Sequence, residues 1–244
     1  MVGKDDLLDD VSNLPEFELK KIYFRNNGDL VKTERFLAVV NEKEVFACVS
    51  KRYILVQFRD LFRNLLSKFD NYIGEVIYWR GRASLIVFPE GSDVGLYVLN
   101  SVDKSTSVFI RFLVESKYGY LVVPKMKMFR QVHMGDKVEF KIEDHVELLK
   151  KVESEWKEIV EKFSKTTVTQ ENLAAILDGI TTNKEFHEYI SELHKNGNIA
   201  NFWDLFLELT KNIDILRCRS KLQRFKIVER ISDLLYNVSM SMKL

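Results

Sequence analysis

The chain has 244 residues, 46% of them hydrophobic and 12% aromatic, enough to enclose a core without disulfide or metal staples and too apolar for a disordered segment. Its 37 basic residues stand against 36 acidic ones, so any attraction for a polyanion has to come from local clustering, because the formal net charge is only +1. Cys48 and Cys218, far apart in sequence, exclude a disulfide framework and a cysteine zinc site, while the acidic start MVGKDDLLDD and the lack of a long apolar run read as a cytoplasmic protein without a membrane span.

In chain order, Leu7, Leu8 and Val11 recur at helical spacing, and Leu14, Phe17, Leu19, Ile22 and Tyr23 extend the apolar pattern beyond Pro15 to Asn27 and Gly28. Those two are suitable helix stops, so residues 1 to 30 read as helical. From Phe36 the period shortens to two: FLAVV, the turn NEKE and VFACVS form a hairpin, and YILVQF leads into the helix RDLFRNLLSKF. EVIYW, ASLIVF, GLYVL, SVFIRFLVE and YLVVP follow as short strands separated by RGR, EGSD, NSVDKST and SKYG, the pattern of an antiparallel meander.

KVEFKIED reads as a last strand. HVELLKKVESEWKEIVEKF is then an amphipathic helix with Val146, Leu149, Val152, Trp156, Ile159 and Phe163 on one side. Thr167 to Gln170 and Thr182 to Glu185 match the capping box, and Asp178-Gly179 and Asn196-Gly197 end the helices that follow. NFWDLFLELTKNID and RSKLQRFKIVERISDLLYNV complete a helical region. The fold class is α+β: an antiparallel β-rich N-terminal half over residues 1–140 and a helical C-terminal half over 141–244, either separate or packed on the sheet as one domain.

Charge gathers in two places. Between Lys104 and Gln131 six basic residues, Lys104, Arg111, Lys117, Lys125, Lys127 and Arg130, face one acid, Glu115, and interleave with Phe109, Phe112, Tyr118, Tyr120 and Phe129. On a strand alternate residues share a face, so a basic and aromatic sheet face emerges, with cations for phosphates and rings for bases. The second cluster, RCRSKLQRFKIVER, sets Arg217, Lys221 and Arg224 on one helical stripe. Of two smaller groups, Lys51-Arg52-Tyr53 precedes a strand, and Tyr78-Trp79-Arg80-Gly81-Arg82 marks a tight turn with an aromatic pair and two arginines. If they share a sheet end with NSVDKSTS, the loops form one anion-binding rim; otherwise Asn100 and Asp103 are ordinary turn formers bonded to their own backbone.

Nucleotide-binding glycine loops and hydrolase elbows are absent. His187 and His194, seven residues apart in HEYISELH, miss the four-residue spacing of a zinc helix and read as surface histidines. A metal-dependent nuclease needs carboxylates converging from neighbouring strands. Glu75, Asp93, Asp103 and Glu115 are the candidates, with His133 as auxiliary base and Mg²⁺ or Mn²⁺ as the divalent ion.

Three segments carry a family resemblance: VSKRYILVQF at 49–58, LNSVDKSTS at 99–107 and FRQVHMG at 129–135. They resemble, in order, a Val-Ser-x-x-Tyr element followed by Gln, an Asn-Ser-x-Asp-x-Ser turn and an Arg-x-x-His ending of the phage/plasmid-like proteins of unknown function carried by mobile elements. The likeness spans roughly residues 35 to 135 and departs where VVPKMKM replaces the family's Cys-Asn element. It implies a role in mobile-element DNA transactions and groups Ser50, Arg52, Tyr53, Asn100, Ser101, Asp103 and His133 as a joint site.

The leading expectation is therefore a protein that binds or processes single-stranded DNA. Arg52, Tyr53, Arg80, Arg82, Lys104, Arg111, Lys125, Lys127 and Arg130 would contact the polynucleotide, and the helical half, with Trp156, Trp203 and Phe206, would mediate homo-oligomer formation if those rings are not internal. The alternatives are a metal-dependent single-stranded DNA nuclease and a structural or partner-binding protein.

Overall fold

The structure, a computed structural model, describes residues 1–42, 44–116, 119–124, 129–131, 133, 142–218 and 221–241, and at 116, 119, 129–131, 142–146, 150, 221 and 222 the backbone alone. A β-rich N-terminal half precedes a helical C-terminal half, the α+β plan read from the sequence. The chain divides into two compact units, one of Met1–Arg111 with Lys127–Leu148 and the other of Phe112–Met126 with Leu149–Leu244.

The first unit starts with α1 (Lys4–Ser12), followed by a sheet in the order β1 (Glu18–Asn26), β2 (Asp29–Asn41), β3 (Glu44–Ser50), both pairings antiparallel. The helix expected over residues 1 to 30 thus ends at Ser12. Asn27 and Gly28, with φ of 49° and 96°, are the two central residues of a tight hairpin turn. Positive φ at both is the mirror-image geometry that matches the twist of paired strands, so the pair that reads as a helix stop joins two strands. YILVQF likewise forms no strand: Tyr53 makes a single bridge and residues 54–57 are an irregular link into α2 (Phe58–Leu66).

Phe58, Leu61, Phe62, Leu65 and Leu66 of α2 are all buried, a stripe in which each side chain contributes about 2 kcal/mol by leaving water. At its start Phe58 meets Phe17 edge-on at 5.5 Å and Tyr78 of β4 (Tyr72–Trp79) at 6.1 Å. β4 begins the second sheet and continues through β5 (Arg82–Pro89), β6 (Val94–Ser101) and β7 (Val108–Ser116), with β8 (Gly119–Val122) pairing the end of β7 and β9 (Phe129–Gln131) its start. Every residue of β6 is buried, and β5 is exposed only at its ends, so both faces of the central strands are covered. The expected strand KVEFKIED lies outside the described residues up to Ile142.

The second unit holds α3 (Ile142–Lys165) from Leu149 on, then α4 (Gln170–Ile180), α5 (Lys184–Lys195), α6 (Phe202–Lys211) and α7 (Lys221–Ser241). Helix starts fall one or two residues past the sequence expectation: Thr169 with Asn172 and Asn201 with Asp204 form reciprocal capping boxes, and Asn183 accepts from the Phe186 amide. Thr167 is committed elsewhere, bridging to Asn201. Trp156, Phe163, Trp203 and Phe206 pack edge-on or tilted with centroids 5.8–6.3 Å apart. Trp156 and Phe206 are buried, so these rings build the core of the unit.

Candidate nucleic-acid interface

Three loops of the first unit meet at one end of the second sheet. The β4–β5 turn is Arg80-Gly81, with φ of 40° and 76°, closing the Trp79–Arg82 pair. Its Gly81 carbonyl accepts from the Val102 amide at 2.8 Å, which ties it to the β6–β7 turn. A Cβ on Gly81 would lie 2.9 Å from Phe46 and 3.3 Å from Val102, so the close approach requires glycine. The third loop, Lys51-Arg52-Tyr53, arrives from β3, and the Tyr53 hydroxyl reaches the carbonyls of Ser101 (3.5 Å) and Val102 (3.4 Å).

Beneath the loops lies a buried polar cluster. Asn100, fully buried, donates from Nδ2 to the Val56 carbonyl at 3.0 Å. His133, 6% exposed, is fixed from two sides: its carbonyl accepts from the Ile54 amide, and its Nδ1 lies 3.1 Å from the Ile54 carbonyl. Because that carbonyl only accepts, Nδ1 carries the proton and Nε2 holds a lone pair. Burial pushes the imidazole below its usual range, and the Ile54 bond opposes this in part. Among the described residues, neither His133 Nε2 nor Asn100 Oδ1 has a hydrogen-bond partner. Burial, and secondarily the Asp103 carboxylate, raise the Tyr53 phenol, which stays protonated.

The NSVDKSTS segment uses most of its polar groups on itself. Ser101 Oγ donates to the Thr106 carbonyl at 2.7 Å and accepts from the Thr106 amide at 3.0 Å. Asp103 Oδ1 accepts from the Ser105 amide at 2.9 Å, and Oδ2 pairs with Arg82 Nε at 3.2 Å. What the turn leaves facing solvent is Lys104, at φ 62°, and Ser105. Arg52 and Arg80 are exposed beside it, Arg82 is half-buried in its pair with Asp103, and Trp79 is 66% exposed with the Arg80 guanidinium 5.6 Å from its ring centroid.

Of the expected contact residues, Arg52, Tyr53, Arg80, Arg82 and Lys104 share this rim, with Tyr53 below the surface. Arg111 is half-buried within β7. Lys125 and Lys127 lie outside the described residues, as does the side chain of Arg130. Of the expected strand-face rings, Phe112 is buried, half-buried Phe109 leans on Tyr97, whose phenol burial pushes up to about 12, and Tyr118 and the side chain of Phe129 lie outside the described residues. Trp79, read from sequence as part of a turn with an aromatic pair, is the more exposed of that pair, with Tyr78 beside it.

The expected carboxylates are spread out. Asp93 and Asp103 bracket β6, roughly 25 Å apart at the rise of a strand. Glu75 lies opposite Ile86, itself opposite Tyr97, roughly 20 Å along the strands from Asp103. Glu115 belongs to the second unit. Among the described residues no three His, Cys, Asp or Glu side chains gather as a metal site. His187 Nε2 lies 2.8 Å from the Thr181 carbonyl and His194 Nε2 lies 3.1 Å from the Val168 carbonyl, so both rings tie helices to neighbouring backbone.

Among the described residues no helix is long and apolar enough to cross a membrane. Comparison with protein-family models, with curated proteins and with solved structures gives no match for this chain.

Proposed function

We propose that the protein binds single-stranded nucleic acid, DNA in the first place, across the loop rim rather than along a sheet face. The observation that carries the reading is the joining of the three loops that bear Arg52, Arg80, Arg82 and Lys104, through the Gly81–Val102 and Tyr53–Val102 contacts, with the Arg80 guanidinium beside the exposed Trp79 indole and Asp103 paired with Arg82. Cations on a shared rim track phosphates, and an exposed ring gives an unstacked base a platform. Arg80 and Lys104 both stand at left-handed φ, positions where Gly or Asn is easier. A cation placed there at a conformational cost of about 1 kcal/mol is consistent with selection for charge.

The likeness to phage/plasmid-like proteins supplies a mobile-element context for this reading. Its three segments, distant in sequence, are those joined by the Tyr53–Val102, Asn100–Val56 and His133–Ile54 contacts. The test is retention of labelled single strands by the full chain over a salt series, with Mg²⁺ or Mn²⁺ and then EDTA. Salt-sensitive retention of intact strands is expected. Chelator-sensitive shortening would replace binding with cleavage, and no retention at low salt would end the polynucleotide reading.

A further inference from the structure

Among the described residues the outer part of the β1–β2 hairpin is a ribbon with exposed side chains on both faces. Beyond a register break between Lys21 and Tyr23 it pairs Tyr23 with Lys32, Phe24 with Val31 and Arg25 with Leu30, and turns at Asn27-Gly28. Leu30 is 70% exposed, Tyr23 54%, Phe24 50% and Val31 37%. Directly opposed residues share a face, so Tyr23, Arg25, Leu30 and Lys32 form one side while Phe24 and Val31 form the other. Two-stranded ribbons of this kind are marginal in water, and so much exposed apolar surface marks a contact.

The ribbon springs from the rim. β3 ends at Ser50, opposite Phe36, and β2 continues past that point toward the turn. At the root the Lys51 amide donates to the Arg35 carbonyl, and Glu34 bridges Lys32 (3.2 Å) and Lys51 (2.9 Å). Arg52 of the rim is the next residue. Five cations, Arg25, Lys32, Arg35, Lys51 and Arg52, stand along the chain between the ribbon tip and the rim, against Asp29 at the tip and Glu34, which pairs with Lys32 and Lys51.

We propose that this ribbon holds the duplex side of a junction whose single strand occupies the rim, so that the polynucleotide class is a tailed or forked duplex. The proposal rests on the single-strand reading of the rim. A two-stranded ribbon has the width of a major groove, which a flexible single strand does not offer. In the groove Arg25 and Lys32 reach toward the phosphate walls, and the Phe24 and Val31 face meets apolar base edges such as thymine methyl groups. A second copy of the chain fits less well, because self-pairing of β1 brings Lys20, Lys21 and Arg25 against the same cations.

The experiment measures binding of the full chain to a labelled single strand, a blunt duplex and a duplex with a single-stranded tail at one salt concentration. Two double variants accompany the wild type, Tyr23→Ser with Phe24→Ser and Arg25→Ser with Lys32→Ser, each checked for an unchanged urea midpoint. The tailed duplex is expected to bind at least about tenfold tighter than the single strand, and both variants to erase that preference while single-strand affinity holds within about twofold. Equal wild-type affinity for the two DNAs, or a preference that survives in both variants, overturns the ribbon's role. Variants that dissociate a wild-type dimer would assign the ribbon to a second copy, and ribbon-dependent binding to anionic vesicles would assign it to a membrane; either result also overturns it. Loss of single-strand retention in the wild type removes the rim reading itself, whereas retention without junction preference counts against the ribbon alone.

Discussion

The phenol ring of Tyr53 lies stacked on the imidazole of His133, centroids 5.2 Å apart and planes 19° from parallel. Burial holds His133 neutral in the folded state, partly opposed by the bond to the Ile54 carbonyl, with its titration below the ordinary value of 6.5. In the unfolded chain the ring protonates near 6.5, so between the two values the unfolded state binds more protons. Stability from this group is complete above that range and declines as pH falls through 6.5. His133→Asn, which keeps a donor for Ile54, is expected to be less stable at neutral pH yet to lose less between pH 7.5 and 5.5. Urea midpoints at the two pH values read this directly, and equal acid losses in variant and wild type would contradict it.

Asn100 poses a sharper case, because its amide is fully buried and is the donor to the Val56 carbonyl. Asn100→Ala leaves that carbonyl without the donor and should cost about 1–3 kcal/mol. Asn100→Asp replaces the donor by a group that, when ionised, points charge at a carbonyl oxygen. It is expected to be more destabilising at pH 8 than at pH 5, the reverse of the trend for His133.

On the rim itself, Arg52 and Lys104 are exposed and outside the core, so Arg52→Gln with Lys104→Gln should leave the urea midpoint unchanged. Single-strand affinity should fall, and the slope of log K against log salt should flatten by roughly 0.7 for each phosphate that is no longer neutralised. Reduced affinity with an unaltered slope would mean that these two side chains do not meet phosphates.

Trp79 separates stacking from charge. Its indole is exposed, whereas Trp156 is buried within the helical unit. Single strands are expected to quench the fluorescence of Trp79, and Trp79→Ala to remove that quenching together with about 1–3 kcal/mol of binding. Since the salt slope counts phosphates, it should stay where it is in this variant.

How much of this was legible depends on the range of the contacts involved. Short apolar runs rich in β-branched and aromatic residues, such as ASLIVF and GLYVL, mark strands locally, and β5 and β6 lie where those runs are. LKKIYF carries the same kind of signal, but its fate depends on whether Asn27-Gly28 is used as a helix end or a hairpin turn, and pairing with β2 settles that from outside the segment. At the site, the sequence identifies Arg52, Arg80, Arg82 and Lys104 as turn cations. Their shared rim follows from long-range contacts, Gly81 with Val102 and Tyr53 with Ser101, that no local pattern encodes. The openness of Trp79 and the covering of Phe112 are likewise properties of the packed sheet, because an aromatic residue in a strand reads the same whether it faces core or solvent.

Arg80 offers a test in which stability and binding move in opposite directions. It occupies the first central position of a two-residue turn at φ 40°, followed by Gly81, where the pair Asn-Gly is the favoured chemistry for hairpins of this geometry. Arg80→Asn relieves left-handed strain and should stabilise the unit by about 0.5–1 kcal/mol, seen as a higher urea midpoint. The same change removes a cation from beside the Trp79 ring, so single-strand affinity should drop and the salt slope should flatten by roughly 0.7. A variant that gains stability while binding as well as the wild type would leave the arginine at this turn without the role assigned to it.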